Sequence, residues 1–233
     1  GLAALASSDI VIHSAAVVSF DSPLDQAVEV NLLGPVRVVE TLVSLGVTPH
    51  LVTVSTCYVA GSRRGRAPEE PVDASAFFVD VDWRGEVDAA RRIRLDTETE
   101  SRTPANLKGF RSEAHGELGA AGIPSLAAKT EQLRCRWVDE KMAAAGVARA
   151  TSLGFPDAYA FTKALGEIAV AESAGDVPIS VVRPAIIESA HSEPSPGWIR
   201  GFRMAEPVII SYARGLLKEF PGVPEGTVDV IPV

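Results

Sequence analysis

Short runs of β-branched apolar residues alternate with longer segments of helical periodicity, and this alternation restricts the fold more than any other feature. Residues 9–13 and 50–55 are predicted as buried strands, because each is a short apolar run bounded by turn-forming or small residues. Between them, apolar residues recur at helical spacing from Val28 to Val43. Apolar strands joined by a helix are typical of a parallel sheet that is covered by helices.

The predicted helix between these strands carries its own start and stop signals. Ser22 is a candidate N-cap, Pro23 stands at the predicted first helical position, and Gly46 follows the last periodic residue. The alternation resumes with a helix at 156–174, a strand at 178–187 and a strand within 226–233. These segments have suitable lengths for right-handed crossovers, so the sequence predicts a doubly wound, mostly parallel α/β sheet.

Residues 62–155 interrupt the alternation. They are charged and largely helical in pattern, so we interpret them as a helical insertion within one domain spanning 1–233. We predict that one helix of this block carries an apolar stripe, formed by Leu126, Leu133, Trp137, Val138 and Met142.

Charge and composition argue against several classes of protein. With a formal net charge of -8, the chain has no basic surplus to neutralise phosphates, so we expect no nucleic-acid partner. The two cysteines and four histidines lack metal-ligand spacing, so we expect no metal site. No apolar run reaches the roughly 18 residues of a membrane-spanning helix, and no signal peptide opens the chain. Since the cysteine count also fits a reducing compartment, we expect a cytoplasmic protein.

Tyr159 and Lys163 stand four positions apart in the predicted helix 156–174, which places both side chains on one helix face. A lysine cation near a phenol stabilises the phenolate, so we expect Lys163 to lower the pKa of Tyr159. Such a tyrosine can give its proton to a carbonyl oxygen while a hydride adds to the carbon. Taken alone, the spacing favours an exposed lysine beside a packed tyrosine on an ordinary helix.

Three predicted strand ends strengthen the catalytic interpretation. The second strand ends in Ser55 and Thr56, the first ends in the small residues of HSAA, and the third ends near Pro184, which lacks a backbone donor. Ligands of open α/β sheets lie over the carboxyl ends of the strands. We therefore predict one pocket between these strand ends and the helix of Tyr159 and Lys163.

These residues resemble the extended short-chain dehydrogenase/reductase superfamily, whose fold is Rossmann-like. The shared features are a hydroxyl residue after a strand, Tyr-x-x-x-Lys on the next long helix, and Arg-Pro after the following strand. Within the superfamily, four segments together resemble the fatty acyl-CoA reductase branch, which has the male-sterility-type NAD-binding domain. These segments are VIHSAAVVSFDSPLDQAVEVNLLG, VSTCYVAG, YAFTKALGE with VVRPAII, and SEPSPGWIRGF. The resemblance covers nearly the whole chain, and the last segment discriminates best.

The resemblance implies roles for individual residues. Thr56, with Ser55 as the alternative, would hydrogen-bond the substrate carbonyl, and Tyr159 would donate the proton. Lys163 would hold the nicotinamide ribose, supported through water by Asn31. The implied cofactor is NADPH more often than NADH, and the residues expected to line it are His13, Ala15, Ala16, Asn31, Tyr159, Lys163, Pro184, Ile186 and Ile187.

Simpler interpretations stay open for several of these positions. Thr56 could cap a turn, Asn31 could lie on a helix surface, and His13 could be a structural residue at a strand end. Cys57 could be acylated by a thioester, although no base stands near it in the sequence. Trp198 could contact substrate or fill a gap in the core.

The implied function is NADPH-dependent reduction of a fatty acyl-CoA to an aldehyde, an alcohol or both. The partner is then an acyl-CoA substrate, and peripheral contact with a membrane stays open. One alternative is another extended short-chain reductase or epimerase that acts on a nucleotide sugar or a sterol, against which SEPSPGWIRGF argues. A second alternative, from another class, is a non-catalytic binding or assembly module.

The phosphate-binding turn of the superfamily, a G-x-x-G-x-x-G between the first strand and the helix that follows it, is absent at that place, and no later glycine cluster substitutes for it. The backbone donors of such a turn, at a helix N-terminus, normally bind the pyrophosphate of the cofactor. In the superfamily the turn precedes the strand at 9–13. We therefore expect the chain to be a fragment that lacks the N-terminal strands and this turn, with residues 9–13 as an edge strand.

Overall fold

The computed structural model of the protein describes residues 2–75, 78, 80–119, 124–200, 206–219 and 229–233. It divides into two units, Gly1–Arg183 and Pro184–Val233. The elements of the first unit are, in chain order, α1 (Leu2–Ala6), β1 (Ile10–His13), α2 (Leu24–Ala27), a π-helical turn (Val28–Leu32), α3 (Leu33–Leu45), β2 (His50–Val54), 3₁₀ turns at Cys57–Ala60 and Val72–Ala74, α4 (Trp83–Ser101), α5 (Pro104–Leu118), α6 (Leu126–Ser152), α7 (Ala158–Ser173) and β3 (Ile179–Val182).

The strands of the first unit form a parallel sheet in the order β1-β2-β3. Val11, Leu51 and Ile179 lie in register across the sheet and pack into the core that the helices share. Ile10 and Ile12 alternate with Val11 along β1, so they lie on the other face, where each is more than half exposed. The predicted Rossmann-like α/β fold with parallel strands is confirmed, and β1 lies at an edge of this sheet.

α2, the π-helical turn and α3 form one continuous helix between β1 and β2. The prediction that Ser22 is its N-cap and Pro23 its first helical residue is wrong. Pro23 is the cap position, because its ψ of 136° is extended, and no side chain caps this end. The predicted end is confirmed, since Gly46 is the C-cap with a φ of 66°, a left-handed conformation that glycine adopts without steric cost.

α7 confirms the helix predicted at 156–174 and lies against the π-helical turn. A Cβ added to Gly166 would lie 2.7 Å from the backbone oxygen of Asn31, which is too close for any side chain. Glycine at this position therefore lets the two helices approach each other. The approach places Tyr159 and Lys163 beside the sheet, because both residues are on the same helix as Gly166.

We expect Gly166→Ala to lower the free energy of unfolding by about 1–3 kcal/mol, the usual cost of inserting a methyl group into a tightly packed contact. The obstacle is a backbone oxygen, which cannot rotate away. Gly109→Ala in α5 is the matched control, because Gly109 is exposed and an added Cβ has nothing within 4 Å. We expect that control to gain up to about 1 kcal/mol from helix propensity. Urea unfolding of both variants measures the difference, and equal effects would contradict the packing argument.

The block 62–155 contains three long helices, α4, α5 and α6, as its charged helical pattern predicted. All of the predicted stripe residues on α6 are buried or partly buried: Leu126, Leu133, Trp137, Val138 and Met142. Val138 and Met142 belong to the same hydrophobic core as α7, so α6 packs directly on the helix that carries the predicted site. That this block is an insertion stays a prediction.

The second unit contains β4 (Ile186–Ile187), α8 (Glu206–Ala213) and β5 (Val230–Ile231), and β4 pairs with β5 in parallel. The single strand predicted at 178–187 is wrong, because this segment forms two strands, β3 and β4, in different sheets. The break includes Pro184, which has no backbone N–H to give to a strand ladder. β5 confirms a strand within 226–233, of which residues 226–228 lie outside the described residues.

Candidate active site

The residues predicted to carry chemistry meet near the carboxyl ends of β1 and β2. His13 is the last residue of β1, and Ser55 and Thr56 directly follow β2. Tyr159 lies in the first turn of α7, and Lys163 lies one turn later. Parallel strands present their carboxyl ends to one edge of the sheet, and this edge is where open α/β sheets bind ligands.

Thr56 connects the end of β2 to α7. Its hydroxyl accepts a hydrogen bond from the backbone N–H of Tyr58 at 3.3 Å and so caps the 3₁₀ turn Cys57–Ala60. The same buried hydroxyl lies close enough to the phenol of Tyr159 to lower the pKa of that phenol. The turn-capping interpretation is therefore correct but incomplete, because the hydroxyl also contacts the predicted proton donor.

Tyr159 is positioned by the start of α7. Asp157 caps this helix, and its carboxylate accepts a hydrogen bond from the backbone N–H of Ala160 at 2.8 Å. Burial raises the pKa of Tyr159 above its ordinary value; the nearby hydroxyl of Thr56 opposes this effect, and the charge of Asp157 adds to it. The phenol is thus held protonated at neutral pH, which is the state a proton donor needs.

The expectation that Lys163 lowers the pKa of Tyr159 is wrong for this structure, because burial of the phenol dominates. The Lys163 ammonium instead donates a hydrogen bond of 2.6 Å to the backbone oxygen of Val54, the last residue of β2. Burial lowers the pKa of Lys163, and the nearby charge of Glu167 opposes this shift. An ammonium has three N–H donors, so the bond to Val54 still leaves donors for a ligand hydroxyl.

Asn31 is almost completely buried, so the interpretation as a helix-surface residue is wrong. Its side-chain oxygen accepts from the backbone N–H of Val17 at 2.8 Å, and its amide nitrogen donates to the Val17 oxygen at 3.0 Å. The amide nitrogen also lies 3.4 Å from the Thr162 hydroxyl. Asn31 therefore joins the loop after β1 to α7. Its hydrogen bonds are made with Val17 and Thr162 and not with Lys163.

His13, Ser55 and Lys163 line one small cavity of about 10 Å³ between the sheet and the helices. Burial lowers the pKa of His13, and the cation of Lys163 lowers it further, so this imidazole is held neutral. The Ser55 hydroxyl is buried and has no hydrogen-bond partner among the described protein atoms. A structural role of His13 fits this position, and the use of Ser55 in place of Thr56 as the catalytic hydroxyl stays a prediction.

The other predicted cofactor-lining residues divide between the two units. Ala15 and Ala16 lie on the loop directly after β1, at the same edge of the sheet as His13. The other three lie in the second unit, next to or within β4: Pro184, Ile186 and Ile187. That they line a cofactor stays a prediction.

Two further interpretations concern Cys57 and Trp198. Cys57 opens the 3₁₀ turn after Thr56, and its acylation stays open. Trp198 is 47% exposed, so the interpretation as a core-filling residue is wrong. Over the described ranges, no three His, Cys, Asp or Glu side chains are arranged to hold a metal ion. In those same ranges, no helix combines the length and apolar character needed to cross a membrane.

Sequence reasoning missed two features of this region. Glu167, one turn beyond Lys163, is buried and receives hydrogen bonds from Arg183 at 3.1 and 2.6 Å. Phe20, on the loop after β1, packs edge-on against the ring of Tyr159 at a centroid distance of 6.1 Å. The regular i, i+4 spacing of Lys163 and Glu167 could have indicated the first feature. No local pattern marks Phe20, because its partner is far away in the chain.

The residues present fit one end of a nicotinamide cofactor. The Lys163 ammonium and the Tyr159 phenol can bind ribose hydroxyls, and the orphaned Ser55 hydroxyl supplies another polar group beside them. Ala15 and Ala16 are small enough to allow a ligand close to the backbone at the strand end. The fit covers the nicotinamide and its ribose, since the sequence contains no G-x-x-G-x-x-G turn that follows a predicted strand and could bind the pyrophosphate.

Comparison with known proteins places this geometry in a family context. Residues 3–233 match the model of the NAD-binding family described as male sterility protein. The fatty acyl-CoA reductase 2 of Arabidopsis thaliana, described as chloroplastic, is 32% identical over 229 residues, which cover 96% of this chain and 32% of that protein. The alcohol-forming fatty acyl-CoA reductase of Simmondsia chinensis is 30% identical over 224 residues, covering 96% of this chain and 40% of that protein. The chain thus spans about a third to two fifths of the length of these relatives.

Proposed function

This chain belongs to the male sterility protein family, an NAD-binding family, and on this premise we propose that its protein reduces fatty acyl-CoA with NADPH. The observation that carries the proposal is the arrangement of three side chains at the carboxyl end of β2: Thr56 directly follows this strand, Tyr159 lies in the first turn of α7, and Lys163 bonds to the last residue of β2 from one turn later. Two hydroxyls that meet at a strand end can together bind one carbonyl oxygen. The names of the relatives supply the substrate class, since they are fatty acyl-CoA reductases.

Thr56 and Tyr159 are proposed to act on the thioester carbonyl. Both hydroxyls donate hydrogen bonds to its oxygen, and these bonds strengthen as negative charge develops on that oxygen. Tyr159 then serves as the proton donor, because its phenol is protonated at neutral pH and its hydroxyl binds the oxygen that becomes a stronger base as the hydride adds.

Lys163 is proposed to hold the ribose of the cofactor. NADPH, when bound, supplies a hydride to the carbonyl carbon. Lys163 donates hydrogen bonds to ribose hydroxyls from a position that its bond to Val54 holds. NADPH in preference to NADH is proposed from the family resemblance. Four further residues are proposed to line the cofactor, or to support its binding, at the carboxyl edge of the sheet: His13, Ala15, Ala16 and Asn31.

The overall reaction balances as one acyl-CoA, one NADPH and one proton giving a fatty aldehyde, coenzyme A and NADP. After the hydride and the proton of Tyr159 have been added, the carbon–sulfur bond breaks, and the thiolate of coenzyme A takes up the proton that leaves the hydroxyl of the adduct. If the same site binds the aldehyde, a second NADPH and a second proton give the alcohol, and Tyr159 supplies that proton to the aldehyde oxygen.

A steady-state assay with the full-length protein tests the proposal. The loss of NADPH absorbance is followed with hexadecanoyl-CoA, and the products are separated by gas chromatography. Parallel assays of the alternative substrate classes use UDP-glucose or cholesterol with NADP, the oxidised cofactor, because these alcohols can only give up a hydride. A further assay uses hexadecanoyl-CoA with NADH in place of NADPH. We expect turnover with hexadecanoyl-CoA and formation of aldehyde or alcohol. Turnover only with the sugar or the sterol would refute the acyl-CoA assignment, and no turnover with any substrate would favour a non-catalytic module.

The place of the protein in the cell is also a proposal. A cytoplasmic location rests on the sequence alone, and the printed name of one relative assigns that relative to the chloroplast. Peripheral membrane contact would suit a substrate with a long apolar chain. Fractionation of cells into soluble, plastid and microsomal material, followed by immunoblotting, distinguishes these locations.

A further inference from the structure

The loop between β1 and α2 places an aromatic ring against the predicted proton donor. The ring of Phe20 lies 6.1 Å from the ring of Tyr159, centroid to centroid, with an interplanar angle of 75°. It also lies 6.3 Å from the ring of Tyr58, at 62°. Both are edge-to-face arrangements, which aromatic pairs favour. Phe20 is therefore a neighbour of the phenol that the mechanism uses, although the mechanism gives it no role.

The rest of the loop holds Phe20 in this position. Three residues earlier, both backbone groups of Val17 are bonded to the buried side chain of Asn31. Two residues later, Ser22 is buried, and its backbone N–H donates to the Ser19 oxygen at 3.4 Å. Phe20 thus lies between two residues, Val17 and Ser22, whose positions are fixed by hydrogen bonds or burial, and this restricts where its ring can lie.

The surface around Phe20 is apolar and open beside the phenol. Phe20 is 39% exposed and Val18 is 52% exposed, although both are large apolar residues. Asp21 is the only charged residue in 14–23, so this loop offers no basic side chain to a phosphate group. Exposed apolar surface next to a reactive group is typical of a place where the apolar part of a ligand binds.

We propose that Phe20 is a specificity-determining residue that contacts the first part of the acyl chain when the thioester carbonyl is bound by Thr56 and Tyr159. The carbonyl oxygen lies at the Tyr159 hydroxyl, and Phe20 packs on the ring that carries this hydroxyl. An apolar chain attached to that carbonyl covers the exposed part of Phe20 and removes it from water. A sugar or another polyhydroxyl substrate gains nothing from the same contact, so the ring favours an acyl substrate.

This proposal rests on the proposed acyl-CoA reductase function, and kinetics with two chain lengths tests it. The full-length protein and its Phe20→Ala and Phe20→Leu variants are assayed with hexadecanoyl-CoA and with acetyl-CoA, whose acyl group has only one carbon beyond the carbonyl, and kcat/KM is determined for each. We expect Phe20→Ala to lower the preference for hexadecanoyl-CoA, the ratio of the two kcat/KM values, by about 10-fold or more, since an apolar contact is lost. Phe20→Leu keeps an apolar side chain and should lower the ratio by less than about threefold.

Leu107→Ala is the matched control. Leu107 is also 39% exposed and apolar, but it lies on α5 and belongs to no part of the proposed site, so its variant should leave the ratio as it is. Thermal unfolding of all variants shows whether each is folded. Equal losses with both thioesters in Phe20→Ala would overturn the proposal and assign Phe20 to positioning Tyr159. A Phe20→Ala variant with the same kcat/KM as the wild type for both thioesters would also overturn it. A wild-type protein that reduces neither thioester would instead refute the proposed acyl-CoA reductase function.

Discussion

Tyr159→Phe is expected to lower kcat for hexadecanoyl-CoA reduction by about 10²–10⁴-fold, the usual contribution of a positioned general acid. The variant keeps the ring that packs on Phe20 and loses only the hydroxyl proposed to donate the proton. Because the ring and its burial are retained, the folded structure should survive. Steady-state kinetics with the full-length protein, together with the thermal unfolding midpoint, measures both quantities.

The other tyrosines of the chain provide the comparison. Tyr212→Phe removes an exposed hydroxyl in the second unit and should leave kcat as it is. Tyr58→Phe removes a hydroxyl from a ring that also packs on Phe20, so it tests whether any phenol in this region suffices. Equal losses in Tyr58→Phe and Tyr159→Phe would contradict the assignment of Tyr159 as the proton donor, as would full activity in Tyr159→Phe.

Lys163→Met is expected to weaken NADPH binding by about 10- to 150-fold, because a hydrogen bond to a charged group contributes roughly 1.5–3 kcal/mol. Methionine has a similar length and keeps the buried stem packed, but it cannot donate to a ribose hydroxyl. Fluorescence titration with NADPH gives the dissociation constant. An unchanged constant would show that Lys163 does not hold the cofactor.

The same variant has a second expected effect, on stability. Burial lowers the folded-state pKa of Lys163 below its ordinary value of 10.5, so between these two values the unfolded chain binds more protons than the folded one. The stability of the wild type should therefore rise with pH in this window through Lys163, and Lys163→Met should remove this contribution.

Lys141→Met is the control, since Lys141 is an exposed lysine that lies 5.2 Å above the ring of Trp137 on α6. A loss of NADPH affinity in Lys141→Met equal to that in Lys163→Met would indicate a general effect of charge.

Local patterns were sufficient for much of the fold. The apolar periodicity predicted α7 and β2 to within a few residues, and Gly46 marked the end of α3. These signals work because helix periodicity, apolar strand runs and left-handed glycine caps depend on residues close together in the chain. The segment 178–187 was mispredicted for the same reason. Its apolar run is continuous, and the division into β3 and β4 depends on which distant strand pairs with each half.

Local patterns also predicted only part of the arrangement of side chains in the candidate site. The spacing of Tyr159 and Lys163 predicted that they share a helix face, and the strand ends predicted that Ser55 and Thr56 would be nearby. Neither pattern could predict that Asn31 bonds to Val17 and Thr162, or that Phe20 packs on Tyr159. These contacts join segments from different parts of the chain.

The sequence was enough to predict the parallel α/β architecture, the family and the residue types of the candidate site, because these follow from local periodicity and short motifs. Tertiary packing set the protonation behaviour of the site, since burial raises the pKa of Tyr159 and lowers that of Lys163, against the expectation from their spacing. Packing also exposed an apolar ring beside the phenol. Burial and contact depend on the three-dimensional arrangement of segments that are distant in the chain, and a linear pattern does not contain this information.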